Sequence, residues 1–297
     1  MKPEWIAADW GTSHLRVWAM EGSTPIDHAQ SDMGMARVSK GGFEDALLAL
    51  IEGWLDNAPV DVVACGMVGA RQGWVEAPYA AVPTTPVQGV PIRVPATDPR
   101  VRAFVVPGLK QVAPPDVMRG EETQIAGFLD THPNWDGVIC LPGTHTKWVQ
   151  VSANEVVSFR TFMTGELFDL LRGQSVLRHS VSEGWDEAAF SEAVEDTLSK
   201  PEQLAARLFS LRAADLLHGQ DGSTARARLS GLLIGAELAA SRPYWLGQQI
   251  AIIGAEGLSA AYAKALQPQG AFVEMADATT STLAGLNKAR NMTRETV

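Results

Sequence analysis

The sequence predicts an α/β fold in which one order of elements occurs twice. Apolar, strand-like runs alternate with segments of helical periodicity along the 297 residues, and this alternation is typical of sheets covered by helices. A Gly-Thr turn between two strand-like runs occurs at Gly11-Thr12 and again at Gly143-Thr144. Each turn is followed by two further strands and then by helical sequence. The repeat therefore predicts two domains of similar architecture.

The first half contains the elements of one such domain. The runs "WIAADWGTS", "HLRVWAME" and "PIDHAQSD" predict three short strands joined by tight turns. The segment "GFEDALLALIEGWLDNA" places its apolar residues on one face of a helix. An apolar strand in "VDVVACGMVGARQGW" then runs into a Gly-rich turn, where a backbone can approach a ligand closely. Residues 80–115 are rich in proline and predict irregular or short-strand structure.

The second half repeats this order. Three strands are predicted in "GVICLPGTH", "TKWVQVSAN" and "EVVSFRTFM", followed by helices from "TGELFDLLRGQSVL" through most of 186–218, with Gly219 as a terminator. A helix in "SGLLIGAELAAS", a strand in "QQIAIIGAEGL" and a helix opened by Ser259 come next. The strand "AFVEMAD" and the helix "TTSTLAGLNKAR" close the chain. We place one domain at 1–125 and the second at 126–278, with a helix over 279–297 packing back on the first.

Composition excludes several classes of partner. The net charge of −10 and the pI near 5.1 argue against a surface for nucleic acid or anionic membranes. Cys65 and Cys140 end apolar runs and lack metal-ligand spacing, so we expect buried thiols. The chain starts almost directly on a strand and has no apolar run of about 20 residues, which predicts a cytoplasmic protein without a membrane segment. A homo-oligomer remains open.

The two Gly-Thr turns predict an anion site. A strand-turn-strand with glycine and hydroxyl residues at its tip presents N–H and Oγ donors to an anion, and two such tips can grip a polyphosphate from both sides. Asp9 cannot bind phosphate directly, but it can do so through Mg²⁺ that keeps several waters. The alternative is that Asp9 only caps its own turn. The paired tips favour the metal-and-phosphate interpretation.

These turns also carry a resemblance to a known superfamily. The segments "DWGTSHLR" and "GTHTKW" resemble the two phosphate loops of the sugar kinase/heat-shock ATPase/actin superfamily, and "IAIIGAEGLSAAY" resembles its adenosine-contacting turn. More closely, "GMVGARQGWVEAPY", "MRGEETQIAG", "LPGTHTKWV" and "FRTFMTGELFDLLR" resemble the 2-keto-3-deoxygalactonate kinases (2-dehydro-3-deoxygalactonokinases). The resemblance implies two ribonuclease H-like domains of the actin-like ATPase fold around a nucleotide cleft. It implies ATP and Mg²⁺ as cofactors, and phosphorylation of 2-dehydro-3-deoxy-D-galactonate at its terminal 6-hydroxyl in galactonate catabolism.

Two alternatives to this activity stay open at the level of the sequence. One is a kinase for another sugar acid or sugar. The other is a non-catalytic module of the same fold that binds a sugar or a nucleotide.

The resemblance also implies which residues contact the nucleotide. They are Asp9, Gly11, Thr12, Ser13 and Arg16 around the first loop, Gly143, Thr144, His145, Thr146 and Lys147 in the second, and Gly254, Glu256 and Gly257 in the adenosine turn. Asp9 is in addition the implied metal ligand. We call residues 9–13 the first phosphate loop and residues 143–147 the second phosphate loop.

A carboxylate must accept the proton of the sugar hydroxyl. In related sugar kinases the base lies shortly before the second phosphate loop at a helix start, usually as Asp; here Glu121 fills that place and Glu122 is its rival. Both are alternatively ordinary first-turn acids that complement a helix dipole. Arg119 lies beside them and belongs to the implied catalytic group.

The carboxylate of the sugar acid requires a cation, and the planar fork of arginine suits it best. Arg71, next to Gln72 in the Gly-rich turn, is the leading candidate and Arg119 the second. Thr164 and Glu166 in "FMTGELF" either line the sugar side or cap the helix that follows.

Overall fold

The computed structural model describes residues 2–294. Met1 and residues 295–297, which form the end of the predicted last helix, lie outside the described residues. The strands are β1 Trp5–Trp10, β2 Leu15–Glu21, β3 Thr24–Ser31, β4 Val60–Gly66, β5 Tyr79–Ala81, β6 Ile92–Arg93, β7 Val101–Val105, β8 Gly108–Gln111, β9 Asp116–Met118, β10 Gly137–Leu141, β11 Thr146–Ser152, β12 Glu155–Phe162, β13 Gln249–Gly254 and β14 Phe272–Asp277. The α-helices are α1 Phe43–Ile51, α2 Glu121–Thr131, α3 Thr164–Gln174, α4 Glu187–Ser199, α5 Leu204–His218, α6 Gly222–Ala240, α7 Arg242–Trp245, α8 Glu256–Leu266 and α9 Ala278–Arg294.

The first sheet has the strand order β3-β2-β1-β4-β7-β6. Strands β1, β2 and β3 are antiparallel neighbours, whereas β1, β4 and β7 are parallel. Because side chains alternate between the faces of a strand, Ile6 of β1 packs with Phe43 of α1, and Trp5 packs on the other face with Leu286 of α9. Helices therefore cover this sheet on both sides. A separate small sheet has the order β5-β8-β9.

The second sheet repeats the order, as β12-β11-β10-β13-β14. Strands β10, β13 and β14 are parallel neighbours. Cys140 and Ile252 of this sheet pack with Phe190 of α4 and Leu238 of α6. The duplicated α/β architecture predicted from the two Gly-Thr turns is thus confirmed.

Contacts along the chain divide it into two compact units. The first unit runs up to Trp135 and includes Val151–Ser158 and the chain from Ala278 onwards, and the second comprises Asp136–Gln150 and Phe159–Asp277. Helix α9 thus lies in the first unit. The division that we predicted between 125 and 126 falls inside α2, which is one continuous helix of the first unit.

Two glycines explain why α2 stays whole in the first unit. A Cβ atom on Gly127 of α2 would lie 1.9 Å from the carbonyl oxygen of Ser281, and one on Gly285 of α9 would lie 1.9 Å from the carbonyl oxygen of Thr123. The backbones of α2 and α9 are therefore too close for any side chain at these positions.

The predictions for two helix ends, the two cysteines and a membrane segment can be compared with the observed structure. Gly219 ends α5 in the left-handed conformation with φ of 62°, as predicted, and both cysteines are buried. Helix α8 begins at Glu256, so the prediction that Ser259 opens it was wrong. The amide of Ser259 donates to the carbonyl of Ala255 at 2.9 Å, an intrahelical bond. Among residues 2–294, no helix combines the length and the hydropathy that a membrane crossing requires.

Candidate active site

The first phosphate loop begins at an ion pair across the first hairpin. Asp9 of β1 and Arg16 of β2 are register partners, and Nη2 of Arg16 donates a hydrogen bond to Oδ2 of Asp9. The side chain of Asp9 is 15% exposed and that of Arg16 is 41% exposed. Burial raises the pKa of Asp9, and the charge of Arg16 and its hydrogen bond act in the opposite direction. Asp9 is therefore a largely buried carboxylate balanced by one cation.

A segment at residues 34–36 holds the tip of this loop. The amides of Gly34, Met35 and Ala36 donate to the carbonyl oxygens of Ser13, Gly11 and Thr12 at 3.2, 3.0 and 3.0 Å. A Cβ atom on Gly34 would lie 2.3 Å from the carbonyl carbon of Ser13. Sequence reasoning missed this segment, for which the only local signal is the glycine itself.

The start of α2 lies beside the first phosphate loop. Gly66, at the end of β4, has φ of 91°, and a Cβ there would lie 2.6 Å from the carbonyl oxygen of Trp10. Gly120 has φ of 109°, and a Cβ on it would lie 3.3 Å from the Cα of Gly66. Only glycine tolerates both the conformation and the close approach. The structure thus brings Glu121 and Glu122 to the end of β1 where Asp9 lies.

The two adjacent glutamates differ in environment. Glu122 is completely buried, and its carboxyl group accepts hydrogen bonds from the amide of Gly120 at 2.7 Å and from Oγ1 of Thr123 at 3.0 Å. Burial, with a further contribution from the charge of Glu121, raises the pKa of Glu122 to about 7. Glu121 is partly exposed, and its charge also contributes to raising the pKa of Asp9. Glu121 is therefore the acid that solvent or a substrate can reach.

The predicted arginines are also in different environments. Arg119 is 8% exposed; its Nη2 donates to the carbonyl of Ala77 at 2.7 Å, and its guanidinium lies 4.2 Å from the ring centre of Tyr79. The Nη1 atom of Arg119 is buried without a hydrogen-bond partner. The side chain of Arg71 is 81% exposed and pairs with Glu76 at 3.5 Å, and Gln72 is exposed beside it. Arg119 is thus fixed within its loop, whereas Arg71 lies at the surface.

In the second unit, the start of α3 closes on the second phosphate loop. The amide of Glu166 donates to the carbonyl of Thr144 at 2.9 Å, and a Cβ on Gly165 would lie 2.2 Å from the carbonyl oxygen of Gly143. Nε2 of His145 lies 2.6 Å from Oε2 of Glu166. Thr164 and Glu166, which we expected either to line the sugar side or to cap the helix, lie next to this phosphate loop.

The second phosphate loop is open at one end and buried at the other. A Cβ atom on Gly143 would meet nothing within 4 Å, so a ligand has room to approach the backbone there. Thr146 is completely buried and Lys147 is 4% exposed, both within β11. The accessible part of the loop is thus its Gly143-Thr144 turn and His145.

A cavity of about 600 Å³ opens next to this turn within the second unit. Of the predicted residues, Gly143, Thr144, Thr164 and Gly257 line it, while Gly254 ends β13 and Glu256 begins α8. Its aromatic and apolar lining residues were missed because such residues at helical spacing usually indicate core; they include Phe168, Trp185, Leu233, Leu258 and Tyr262. Arg226 also lines the cavity. A volume of this size suits a small organic ligand.

Comparison with known proteins identifies relatives along nearly the whole chain. The family model described as 2-keto-3-deoxy-galactonokinase matches residues 9–289. The chain is 39% identical to a Rhizobium meliloti protein named "Probable 2-dehydro-3-deoxygalactonokinase", with 96% of each chain covered. It is 34% identical to the 2-dehydro-3-deoxygalactonokinase of Escherichia coli, with 96% of this chain and 97% of the relative covered.

Solved structures agree with these relatives. A crystal structure from Sinorhizobium meliloti that carries the same kinase name matches with a TM-score of 0.90 at 38% identity, covering 97% of this chain and 96% of the other. The activator of a 2-hydroxyisocaproyl-CoA dehydratase from Clostridium difficile matches with a TM-score of 0.57 at 11% identity over 98% and 96% of the two chains. The latter likeness concerns the fold alone and supports the expected actin-like ATPase fold. With its family model spanning residues 9–289, the chain belongs to the 2-keto-3-deoxy-galactonokinase family.

Proposed function

We propose that this chain transfers the γ-phosphoryl group of ATP to the 6-hydroxyl of 2-dehydro-3-deoxy-D-galactonate, giving 2-dehydro-3-deoxy-6-phosphogalactonate. The observation that carries the proposal is the family match over residues 9–289. A non-catalytic binding module is not favoured, because relatives covering 96% of the chain carry the kinase name. The partner is a small sugar acid, and the acidic composition argues against a nucleic-acid partner. We place the enzyme in the cytoplasm, as expected from the sequence.

We assign nucleotide binding to the cavity of the second unit. Its apolar side chains, such as Phe168 and Leu258, suit an adenosine moiety, and the turn at Gly143 and Thr144 offers backbone and hydroxyl donors to phosphate oxygens. A Cβ atom on Gly257 would also meet nothing within 4 Å. The ligand can therefore approach the backbone at both glycines.

We assign the metal to Asp9. Among residues 2–294, no group of three or more His, Cys, Asp or Glu side chains is arranged to hold a metal ion. One carboxylate fits the usual mode of Mg²⁺ in kinases, which keeps several waters and binds substrate phosphates as well. When bound, Mg²⁺ neutralises charge on the phosphates. Arg16 supports this role because its charge favours the ionised form of Asp9.

We assign the catalytic base to Glu121. Glu121 is partly exposed near the end of β1, where the first phosphate loop begins, whereas Glu122 is completely buried. Each carboxylate accepts a hydrogen bond from an amide that precedes the helix, Glu121 from Arg119 at 3.0 Å and Glu122 from Gly120 at 2.7 Å, so burial is what distinguishes them. In this role Glu121 accepts the proton of the attacking hydroxyl. Glu122 and Arg119, both buried, then hold the start of α2 and the Gly-rich turn in place.

We propose that Arg71, with Gln72 beside it, binds the carboxylate of the sugar acid. The guanidinium of Arg71 has only a long 3.5 Å contact with Glu76, and both side chains are well exposed. Exposed pairs of this kind contribute little free energy, so a substrate carboxylate can replace Glu76 at small cost.

A substrate panel tests the proposed function. The purified chain with ATP and Mg²⁺ should release ADP with 2-dehydro-3-deoxy-D-galactonate at a kcat/KM well above that with its stereoisomer 2-dehydro-3-deoxy-D-gluconate, with aldonic acids and with neutral sugars. A higher kcat/KM with an aldonic acid or a neutral sugar would assign the chain to a different kinase reaction.

A further inference from the structure

A buried glutamate in the second unit gathers hydrogen bonds from three separate elements. Glu237 of α6 is 3% exposed. Its Oε1 accepts a hydrogen bond from Nε1 of Trp148 at 2.7 Å, and its Oε2 accepts bonds from the hydroxyl of Tyr262 at 2.8 Å and from Oγ1 of Thr164. The hydroxyl of Tyr262 is also 2.9 Å from Oγ1 of Thr146. These donors belong to β11, α3 and α8.

Two of these elements, α3 and α8, line the cavity to which we assign the nucleotide, and β11 directly follows the Gly143-Thr144 turn that also lines it. Strand β11 includes the buried end of the second phosphate loop, and α3 begins at Thr164, which lines the cavity. Helix α8 contributes Gly257 and Tyr262 to the lining. Glu237 lies behind this wall, outside the lining of the cavity.

A carboxyl group at this place is not what packing alone requires. Neighbouring residues of α6, Leu233, Ile234 and Leu238, are buried and apolar. Burying a carboxylate is costly unless donors compensate it, and apolar side chains of similar volume often stabilise a core as well or better. Hydrogen bonds, unlike apolar contacts, fix direction and distance. The three bonds therefore set the position of each element relative to the other two.

We propose that Glu237 is a positioning residue of the nucleotide site, which holds the second phosphate loop, the start of α3 and helix α8 in the arrangement that binds ATP. This inference rests on the proposed function, because it takes the cavity as the nucleotide site. It predicts that Glu237 determines the affinity for the nucleotide and leaves the affinity for the sugar acid unchanged.

Calorimetric titration with ADP tests the proposal, with Glu237→Gln compared against Thr197→Val. Thr197 of α4 is also fully buried, and its Oγ1 donates to the carbonyl of Leu232 on α6 at 2.7 Å, away from the cavity lining. An amide offers one acceptor oxygen to three donors, so Glu237→Gln should weaken ADP binding about tenfold or more. Thr197→Val should bind ADP within twofold of the native chain. In steady-state assays, the KM for ATP should rise in Glu237→Gln while the KM for the sugar acid holds.

A double-mutant cycle separates positioning from a general loss of stability. Tyr262→Phe removes only a hydroxyl group that links Glu237 to Thr146 of the second phosphate loop, so its effect on ADP affinity should depend on whether Glu237 is present. As a single substitution, Tyr262→Phe should weaken ADP binding. In the Glu237→Gln background it should cause little further loss of ADP affinity.

Two results would overturn the proposal. One is ADP affinity in Glu237→Gln equal to that in Thr197→Val, and the other is full additivity with Tyr262→Phe. A native chain that binds no ADP would overturn the nucleotide site together with this proposal. Normal ADP binding with an unaffected Glu237→Gln would overturn only the role of Glu237.

Discussion

Asp9 and Arg16 are register partners on β1 and β2, and their side chains form an ion pair at the end of the first hairpin. A second cross-strand Asp–Arg pair in the same sheet joins Asp61 of β4 to Arg102 of β7, with Oδ1 and Nε 2.6 Å apart. In both pairs the aspartate is mostly buried and the arginine is about half exposed, at 15% and 41% in the first and 19% and 48% in the second. Only the first lies beside a phosphate loop, so the second is its natural control.

We predict that Asp9→Asn lowers kcat at least about 10²-fold, the scale of losing one charge-stabilising group. The fold should persist, because asparagine keeps the size and one acceptor oxygen of Asp9 without its buried charge, and Arg16 is exposed enough to remain hydrated. Asp61→Asn should show a similar small change in unfolding free energy with native kcat. Near-native turnover in Asp9→Asn would remove Asp9 from the metal site.

We predict that Glu121→Gln lowers kcat about 10²–10⁴-fold, the usual effect of losing a general base, with ADP affinity unchanged. Glu122→Gln should retain most of the activity, because its carboxyl group is enclosed by Gly120 and Thr123. The reverse pattern in steady-state kinetics would make Glu122 the base. If both Glu121→Gln and Glu122→Gln lowered kcat only slightly, the base would be another residue.

We predict that stability falls as the pH rises towards neutrality. Glu122 and Glu237 have pKa values raised from 4.5 to about 7 by burial, so between these values the folded chain binds more protons than the unfolded chain. The contribution of each neutral carboxyl group to the unfolding free energy is thus fully present below pH 4.5 and is lost as the pH rises through 7. By the relation of about 1.4 kcal/mol per pKa unit, each accounts for about 3 kcal/mol.

Urea unfolding at several pH values checks this dependence. Glu122→Gln and Glu237→Gln should each remove the contribution of one carboxyl group and so flatten the curve of unfolding free energy against pH. The double variant should flatten the curve further. Parallel curves for the native chain and both variants would show that the two carboxyl groups do not titrate in this range.

We predict that Gly127→Ala lowers the unfolding free energy by about 1–3 kcal/mol or more, since the new Cβ overpacks the contact between α2 and α9. Gly173→Ala in α3 is the control. A Cβ there meets nothing within 4 Å, and alanine is favoured over glycine in helices by up to about 1 kcal/mol. Equal effects of the two substitutions on the urea midpoint would contradict the close approach of the two helices.

The hairpins and the two Gly-Thr turns were predictable because their signals are local. The alternating side chains of a strand and the turn residues that end it lie within a few positions of each other in the chain. The strands around Gly11 and Gly143 are examples. Glu121 and Glu122 were not separable, because both lie in the first turn of a helix and only packing decides which one is buried.

The parts of the site that sequence reasoning missed depend on contacts far apart in the chain. Trp148 and Glu237 are 89 positions apart and Thr164 and Glu237 are 73 apart, and no spacing rule links them. Residues 34–36 likewise hold the first phosphate loop through backbone bonds, which carry almost no signature in side-chain identity.

The identity of the product is the most direct test of phosphorylation at the 6-hydroxyl. The chain, incubated with ATP, Mg²⁺ and 2-dehydro-3-deoxy-D-galactonate, should form ADP and one phosphate monoester in equal amounts, observed by ³¹P and ¹³C NMR. We expect phosphorus coupling to C6 of the sugar acid. Phosphate esterified at another carbon, or ADP formed together with free phosphate and no ester, would contradict it.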